Sequence, residues 1–254
     1  MLTWNIDPVL LELGPLEIRY YGVFFALGLF LAYSLARHIC KRQKLSSETL
    51  DNLALYLIIG LVIGARLGHI VFYELDYYLA NPSQIIQIWN GGLASHGAAI
   101  GVFLAYALFL WRNKKVNFWD YADAISIVTT LPIIFVRLGN FFNSEIVGRP
   151  TDLPWAVTFP RVDEIPRHPS QLYESLLGLL ILAILYPLWR KFHKKVKPGF
   201  FAGLFLILYF STRFLVEFVK EYPLHPAALN LTTGQLLSIP FVLIGVGIII
   251  RSKR

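Results

Sequence analysis

The sequence predicts an all-α polytopic membrane protein: seven transmembrane helices with a small periplasmic, extracytoplasmic head. Three observations predict this class. Of the 254 residues, 56% are hydrophobic and 15% charged, against about 25% charged in soluble domains. Seven apolar stretches approach the roughly 20 residues a helix needs to cross the hydrocarbon core. The cations, finally, crowd into every second connector. A net charge of +7 on a soluble chain would suggest nucleic acid. Here the cations sit at the ends of apolar runs, so they report orientation in a lipid bilayer and give no case for a nucleic-acid partner.

The spans are expected over residues 20–38, 53–72, 92–111, 119–138, 172–189, 200–219 and 234–250. The connectors after the first, third, fifth and seventh hold fifteen of the twenty-three Lys and Arg residues. By the positive-inside rule these are cytoplasmic, which puts the N-terminus outside and the C-terminus inside, as an odd number of spans requires. Residues 1–254 read as a single integral membrane domain. The first residues, through Asn5, Asp7 and Pro8, lack the basic stretch of a cleavable signal, so the first helix is expected to insert and stay. The single cysteine, Cys40, excludes an internal disulfide and a multi-cysteine metal site.

The connector between spans four and five, 139–171, is long enough to form the extracytoplasmic head. It holds Pro150, Pro154, Pro160, Pro166 and Pro169 around a strand-like piece at 155–159, and loops of that length are usually functional or disordered. The proline and aromatic content favours an ordered cap. On the second span Gly60, Gly64 and Gly68 recur every four residues, the spacing that lets a neighbouring helix approach closely. Packing is the better reading of that stripe.

Charged side chains inside spans cost about 2.5–3.5 kcal/mol even on the lenient insertion scale, and so face an interior or a cavity. Arg137 stands at the outer end of the fourth span with Asn140 at i+3, followed by Glu145 and Gly148. Tyr209, Arg213 and Glu217 lie four apart and share one stripe of the sixth. An Arg–Glu pair at that spacing also serves a purely structural role. Spans four and six both run outward, so the two guanidiniums arrive at similar depth, where an anion between them makes sense. The planar fork of Arg matches phosphate oxygens, and lipid phosphate is the obvious candidate. His96, in a glycine-rich stretch at the outer start of the third span, is a proton acceptor at that same depth, or a histidine held by local backbone. Tyr21, at the start of the first span, is either an interface aromatic or part of the same cavity wall. Arg66 and His69 form a further i,i+3 pair. Asp123 lies about 21 Å of helix rise below Arg137 and reads as structural or as a lipid-path residue.

Several stretches together resemble the bacterial prolipoprotein diacylglyceryl transferases. The most specific is Arg137-Leu138-Gly139-Asn140-Phe141-Phe142-Asn143-Ser144-Glu145-Ile146-Val147-Gly148-Arg149, similar to the family signature. Tyr20-Tyr21-Gly22, the run from Gly91 to Gly97, the run from Arg167 to Glu174, and Arg213-Phe214-Leu215-Val216-Glu217-Phe218 resemble further family blocks in the same order. The chain departs from the pattern at Asn90, Ala98 and Ser144. The resemblance implies transfer of the diacylglyceryl group of phosphatidylglycerol to the lipobox cysteine thiol at the signal peptide of a preprolipoprotein, in the bacterial cytoplasmic (inner) membrane, with the active site towards the outer face. On that footing Arg137 and Arg213 hold the phosphate and His96 assists thiol deprotonation. Tyr21 and Tyr209 are hydrogen-bonding partners, Asn140, Glu145 and Gly148 shape the headgroup site, and Glu217 orients Arg213.

No cofactor and no metal is expected, because His38, His69, His96, His168, His193 and His225 show no ligand spacing and no nucleotide loop is present. The competing class is a polytopic transporter or channel for an anionic solute or lipid, which would carry polar residues along a path through the membrane. Here they gather at the outer end. An intramembrane protease would need a Ser–His dyad or paired aspartates, and only Asp120 and Asp123 come near one.

Overall fold

The computed structural model describes residues 2–14, 16–88, 91–221 and 231–253. Asn90 and His225, both weighed in the sequence, lie outside the described residues. Six helices among those described are long and apolar enough to cross a membrane: Tyr20–Gln43, Ser47–Tyr73, Phe118–Phe142, Ser170–Phe192, Phe200–Val219 and Thr233–Ser252. The protein is therefore a multi-pass helical membrane protein. The stretch expected as the third span does fold as a helix, Ser95–Arg112, but it is only 18 residues long, with Ser95, His96 and Arg112 at its ends, and is not among those six. The chain divides into two compact units, Ile39–Tyr121 and the remainder.

In the smaller unit, α2 (Ser47–Tyr73) opens on Ser46, whose hydroxyl accepts from the Thr49 amide at 3.2 Å, with Glu48 in the first turn, where a carboxylate suits the helix dipole. After a short α3 (Leu75–Ala80) comes α4 (Ser95–Arg112). The expected glycine stripe is a packing face. A Cβ on Gly64 would lie 2.7 Å from Gly101 Cα, and one on Gly60 2.6 Å from the Gly101 carbonyl. Gly97 fits against Gly68 in the same way. Two backbones in contact gain dispersion energy that lipid cannot supply.

In the larger unit, α1 (Tyr20–Gln43) leads in. The expected fourth span is the helix Phe118–Phe142, interrupted at Thr129 into α5 (Phe118–Val128) and α6 (Thr130–Phe142). The reason is Pro132, which has no N–H to offer the Val128 carbonyl, so the ladder breaks at Thr129. Helix α6 then runs past Arg137 to Phe142, and Arg137 sits within a helix, not at its mouth. Three helices follow: α7 (Ser170–Phe192), α8 (Phe200–Val216), which a 3₁₀ turn extends through Glu217–Val219, and α9 (Thr233–Lys253). Asp123 accepts from the amides of Gly199 at 2.9 Å and Ala202 at 2.8 Å, so it caps the start of α8. That is a structural role, at the end of a helix other than its own.

The segment 139–171 does not build its small sheet alone. Strand β1 (Leu2–Thr3) pairs in parallel with the strand at Val157–Thr158, which pairs antiparallel with Pro166–Arg167. Trp4 packs on Phe141 at 4.4 Å and Phe142 at 5.0 Å between ring centres, over a core of Phe141, Val147, Val157 and Phe159. The chain's first residues thus complete a core whose other half lies more than a hundred residues later.

Candidate functional site

The site is built where α6 and α7 touch. Gly178 lets them close: a Cβ there would lie 2.9 Å from Ile134 Cγ1, and the Ser175 hydroxyl donates to the Ile134 carbonyl at 3.3 Å. One turn further along each helix, the same register brings Glu174 against Arg137. Glu174 pairs with Arg137 Nε through one carboxylate oxygen and with Lys220 Nζ through the other. Lys220 Nζ in turn lies 3.8 Å from Glu217 Oε1, and Glu217 Oε1 lies 3.9 Å from Arg213. The result is an alternating row: Arg137, Glu174, Lys220, Glu217, Arg213. Exposure grades along it, from 1% for Glu217, 4% for Lys220 and 9% for Glu174 to 15% for Arg137 and 24% for Arg213. The two arginines at the ends are the members that present themselves.

They present themselves to one place. Arg137, Glu174, Tyr209, Thr212 and Arg213 line a single cavity floored by Ile133, Gly178 and Ile181. It has a volume of about 20 Å³, room for one water. Tyr209 is stacked on Phe205 at 5.5 Å, which fixes its ring. A larger cavity of about 570 Å³ runs along α2 and α4 in the other unit, but its lining is aliphatic and aromatic apart from Tyr56. It has no convergent polar groups, whereas the smaller one gathers Arg137, Glu174, Tyr209, Thr212 and Arg213.

The signature stretch wraps the Arg137 end. Arg137 donates to Asn140 Oδ1 at 3.2 Å, and the Asn140 amide donates to Glu145 at 3.1 Å, as does that of Asn143. Between them Ser144 and Ile146 both take positive φ, 57° and 56°. For a β-branched residue that conformation is strained and persists only when its surroundings hold it. The first residues of α7 do so: Ser170 donates to the Ile146 carbonyl at 2.7 Å and Gln171 to the Glu145 carbonyl at 2.6 Å. Tyr21 packs on the other side, its ring 2.8 Å from where a Cβ on Gly139 would sit.

Gly148 is enclosed by protein. A Cβ there would meet the Val219 carbonyl at 2.7 Å, with the His168 backbone closer still. The glycine allows residues 147–149 to run against 219–221, with Arg149 N–H donating to Val219 at 2.9 Å and Arg149 Nε to the Lys220 carbonyl at 3.1 Å. Its effect on the site is to pin Lys220. Behind it, buried Arg167 pairs with Asp163 and Glu221 and donates to the Gly148 carbonyl at 3.2 Å. The Arg167 guanidinium holds the Asp163 carboxyl below its ordinary range. Burial, with the Arg149 charge second, lowers the His168 imidazole pKa.

In the smaller unit, His96 is exposed at the second position of α4. Arg66 is not its helix neighbour's partner: His69 faces Glu74 at 3.3 Å, while Arg66 donates to the carbonyls of Gln84, Ile85, Gln87, Gly91 and Gly92 at 2.5–3.3 Å. A buried guanidinium saturated by backbone is a strut for the turn leading into α4.

The family model described as "Prolipoprotein diacylglyceryl transferase" matches residues 8–251. The chain belongs to this family. It is 46% identical over 255 residues to the phosphatidylglycerol–prolipoprotein diacylglyceryl transferase of Tolumonas auensis, covering 100% of this chain and 98% of that one. The proteins of the same name from Chloroherpeton thalassium and Bordetella parapertussis are 44% and 43% identical, covering 100% and 98% of this chain and 95% and 97% of theirs. The structure brings together Arg137, Arg213 and Tyr209 at the cavity, with Asn140, Glu145, Tyr21 and Glu217 around it. Sequence reasoning missed two members. Glu174 is the only acidic residue of α7, and a lone carboxylate in an apolar run is itself the signal that a cation waits nearby. For Lys220 the signal that could have found it is its i,i+3 spacing to Glu217.

Proposed function

We propose that this protein transfers the diacylglyceryl group of phosphatidylglycerol to the lipobox cysteine of a preprolipoprotein, with Arg137 and Arg213 as the phosphate clamp. The observation that carries the assignment is the single cavity both guanidiniums line, together with Glu174, Tyr209 and Thr212. In the reaction the thiol sulfur attacks the glycerol carbon that bears the phosphate oxygen. A C–S bond forms, the C–O bond breaks, and glycerol phosphate leaves with the electron pair. Negative charge grows on the departing phosphate, where preorganised cations stabilise it more than in the ground state. The attacking species is the thiolate, and His96 takes the thiol proton directly or through a water. Tyr21 and Tyr209 hydrogen-bond in the same space, Asn140 and Glu145 hold the Arg137 end, Gly148 acts by pinning Lys220, and Glu217 orients Arg213. Entry of the headgroup widens a cavity that now has room for one water.

The reading extends to topology. Seven helices span the cytoplasmic membrane, α4 included. The N-terminus and the head face outward, the C-terminus faces the cytoplasm, and the signal peptide reaches the site from the membrane. The cation distribution supports this orientation.

The test is to incubate purified protein with radiolabelled phosphatidylglycerol and a lipobox peptide. Label passes to the peptide thiol with the wild type and is abolished by Arg137→Ala or Arg213→Ala. Full activity in Arg137→Ala would remove the phosphate site from this place.

A further inference from the structure

The row of five charges holds three cations and two carboxylates, and the middle cation has no access to the cavity. Lys220 Nζ lies behind the carboxylates, 4% exposed, between Glu174 and Glu217, and it is not among the cavity's lining residues. Without it, each arginine would face one carboxylate and the buried row would be neutral. With it, the row carries one surplus positive charge. Glu145 and Arg149 are exposed and of opposite sign, so solvent screens both, and Glu221, next to Lys220 in the chain, is paired with Arg167.

We propose that Lys220 is a positioning residue of the clamp which, by engaging Glu174 and Glu217 from behind, leaves one net positive charge at Arg137 and Arg213 for a phosphodiester monoanion. The inference rests on the phosphate-clamp reading above and deepens it. A single surplus charge matches the single charge of a phosphodiester. The released phosphate monoester carries about −1.5 to −2 at neutral pH, more than one surplus charge offsets, so the same row that accepts the lipid releases the product. The position of Lys220 is built for the task. The 3₁₀ turn at Glu217–Val219 ends α8 just before it, the bridge to Gly148 fixes its backbone, and Arg149 holds its carbonyl.

The experiment compares wild type, Arg137→Ala, Lys220→Met, Lys220→Arg, Glu174→Gln and Lys220→Met/Glu174→Gln in detergent or proteoliposomes. The readouts are KM for phosphatidylglycerol, inhibition by glycerol phosphate, and thermal unfolding. Lys220→Met is expected to raise KM about tenfold, the effect of one unit charge roughly 12 Å away at an effective dielectric of about 20, while Lys220→Arg stays close to wild type. Glu174→Gln, with two surplus charges, is expected to bind glycerol phosphate about tenfold more tightly. The double variant, which restores one surplus charge, returns inhibition to the wild-type value. Because it removes both members of an ion pair, it also keeps the comparison available if Lys220→Met does not fold. Unchanged KM in folded Lys220→Met, or equal product inhibition in Glu174→Gln and the double variant, overturns the proposal. Unchanged KM in Arg137→Ala instead overturns the clamp itself.

Discussion

Glu174 of α7 holds the guanidinium of Arg137 of α6 through one carboxylate oxygen, and commits the other to Lys220. At 9% exposure it is the hinge of the whole row. Removing it leaves Arg137 without its carboxylate and buried Lys220 with Glu217 alone, the situation in which breaking a buried pair costs about 3–5 kcal/mol. Glu174→Ala is therefore expected to lower the thermal unfolding temperature substantially and to abolish transfer, and Glu174→Gln, which keeps the shape and an acceptor oxygen but not the charge, to lower it less. A melting curve of Glu174→Ala that overlays the wild type would contradict this.

Arg137→Lys separates charge from geometry. The guanidinium uses separate edges for Glu174 and Asn140, which an ammonium on a flexible stem cannot reproduce while also meeting a phosphate. Charge is retained, so the expectation is a folded protein with transfer reduced by at least about tenfold, each lost kcal/mol of transition-state stabilisation counting as in any mutant comparison. Wild-type kcat/KM in this variant would show that charge alone suffices.

The glycine face gives a test of helix packing, in the unit that also carries His96. A methyl group on Gly64 would sit 2.7 Å from Gly101 Cα, and backbone cannot step aside as a flexible side chain does. Gly64→Ala is expected to destabilise by about 1–3 kcal/mol, the usual range for overpacking. Unfolding of the purified variant in detergent measures it; a stability equal to wild type would mean that α2 and α4 separate freely.

How much of this was legible beforehand follows from the kind of signal each feature leaves. The helices left the strongest one, because a bilayer tolerates long apolar runs and little else. The pair Arg213 and Glu217 and the link from Arg137 to Asn140 were legible as i,i+4 and i,i+3 spacings on single helices. Glu174 was not, since its partners Arg137 and Lys220 lie on other elements and the register set by Gly178 against Ile134 brings it to Arg137; Lys220 is i,i+3 to Glu217, but its pairing with Glu174 crosses between elements. The break at Thr129 was written in Pro132 but is easily overridden in an apolar run. The contribution of Trp4 to the head was invisible, because a two-residue strand pairing across the chain leaves no periodicity.

Acid should loosen the segment behind the site before it affects the helices. Asp163 accepts from Arg167, and that hydrogen bond holds its folded pKa below the ordinary carboxylate value. A depressed carboxyl contributes stability that is present above its unfolded pKa, about 3.9, and is lost as pH falls through the lower folded value. His168, lowered chiefly by burial and then by Arg149, acts in the same direction: the folded state resists its protonation, so stability falls as pH drops below about 6.5 and towards the folded pKa. Both groups therefore favour the folded segment at neutral pH and withdraw that support in sequence, His168 first and Asp163 last. The expected observation is amide hydrogen exchange at residues 147–168 that, corrected for intrinsic rates, gains speed as pH falls from 7 towards about 2, with α7 and α8 unaffected. Asp163→Asn removes the lower part of the response and His168→Gln the upper part. Exchange in this segment that is independent of pH over the whole range would mean that neither group is coupled to its folding.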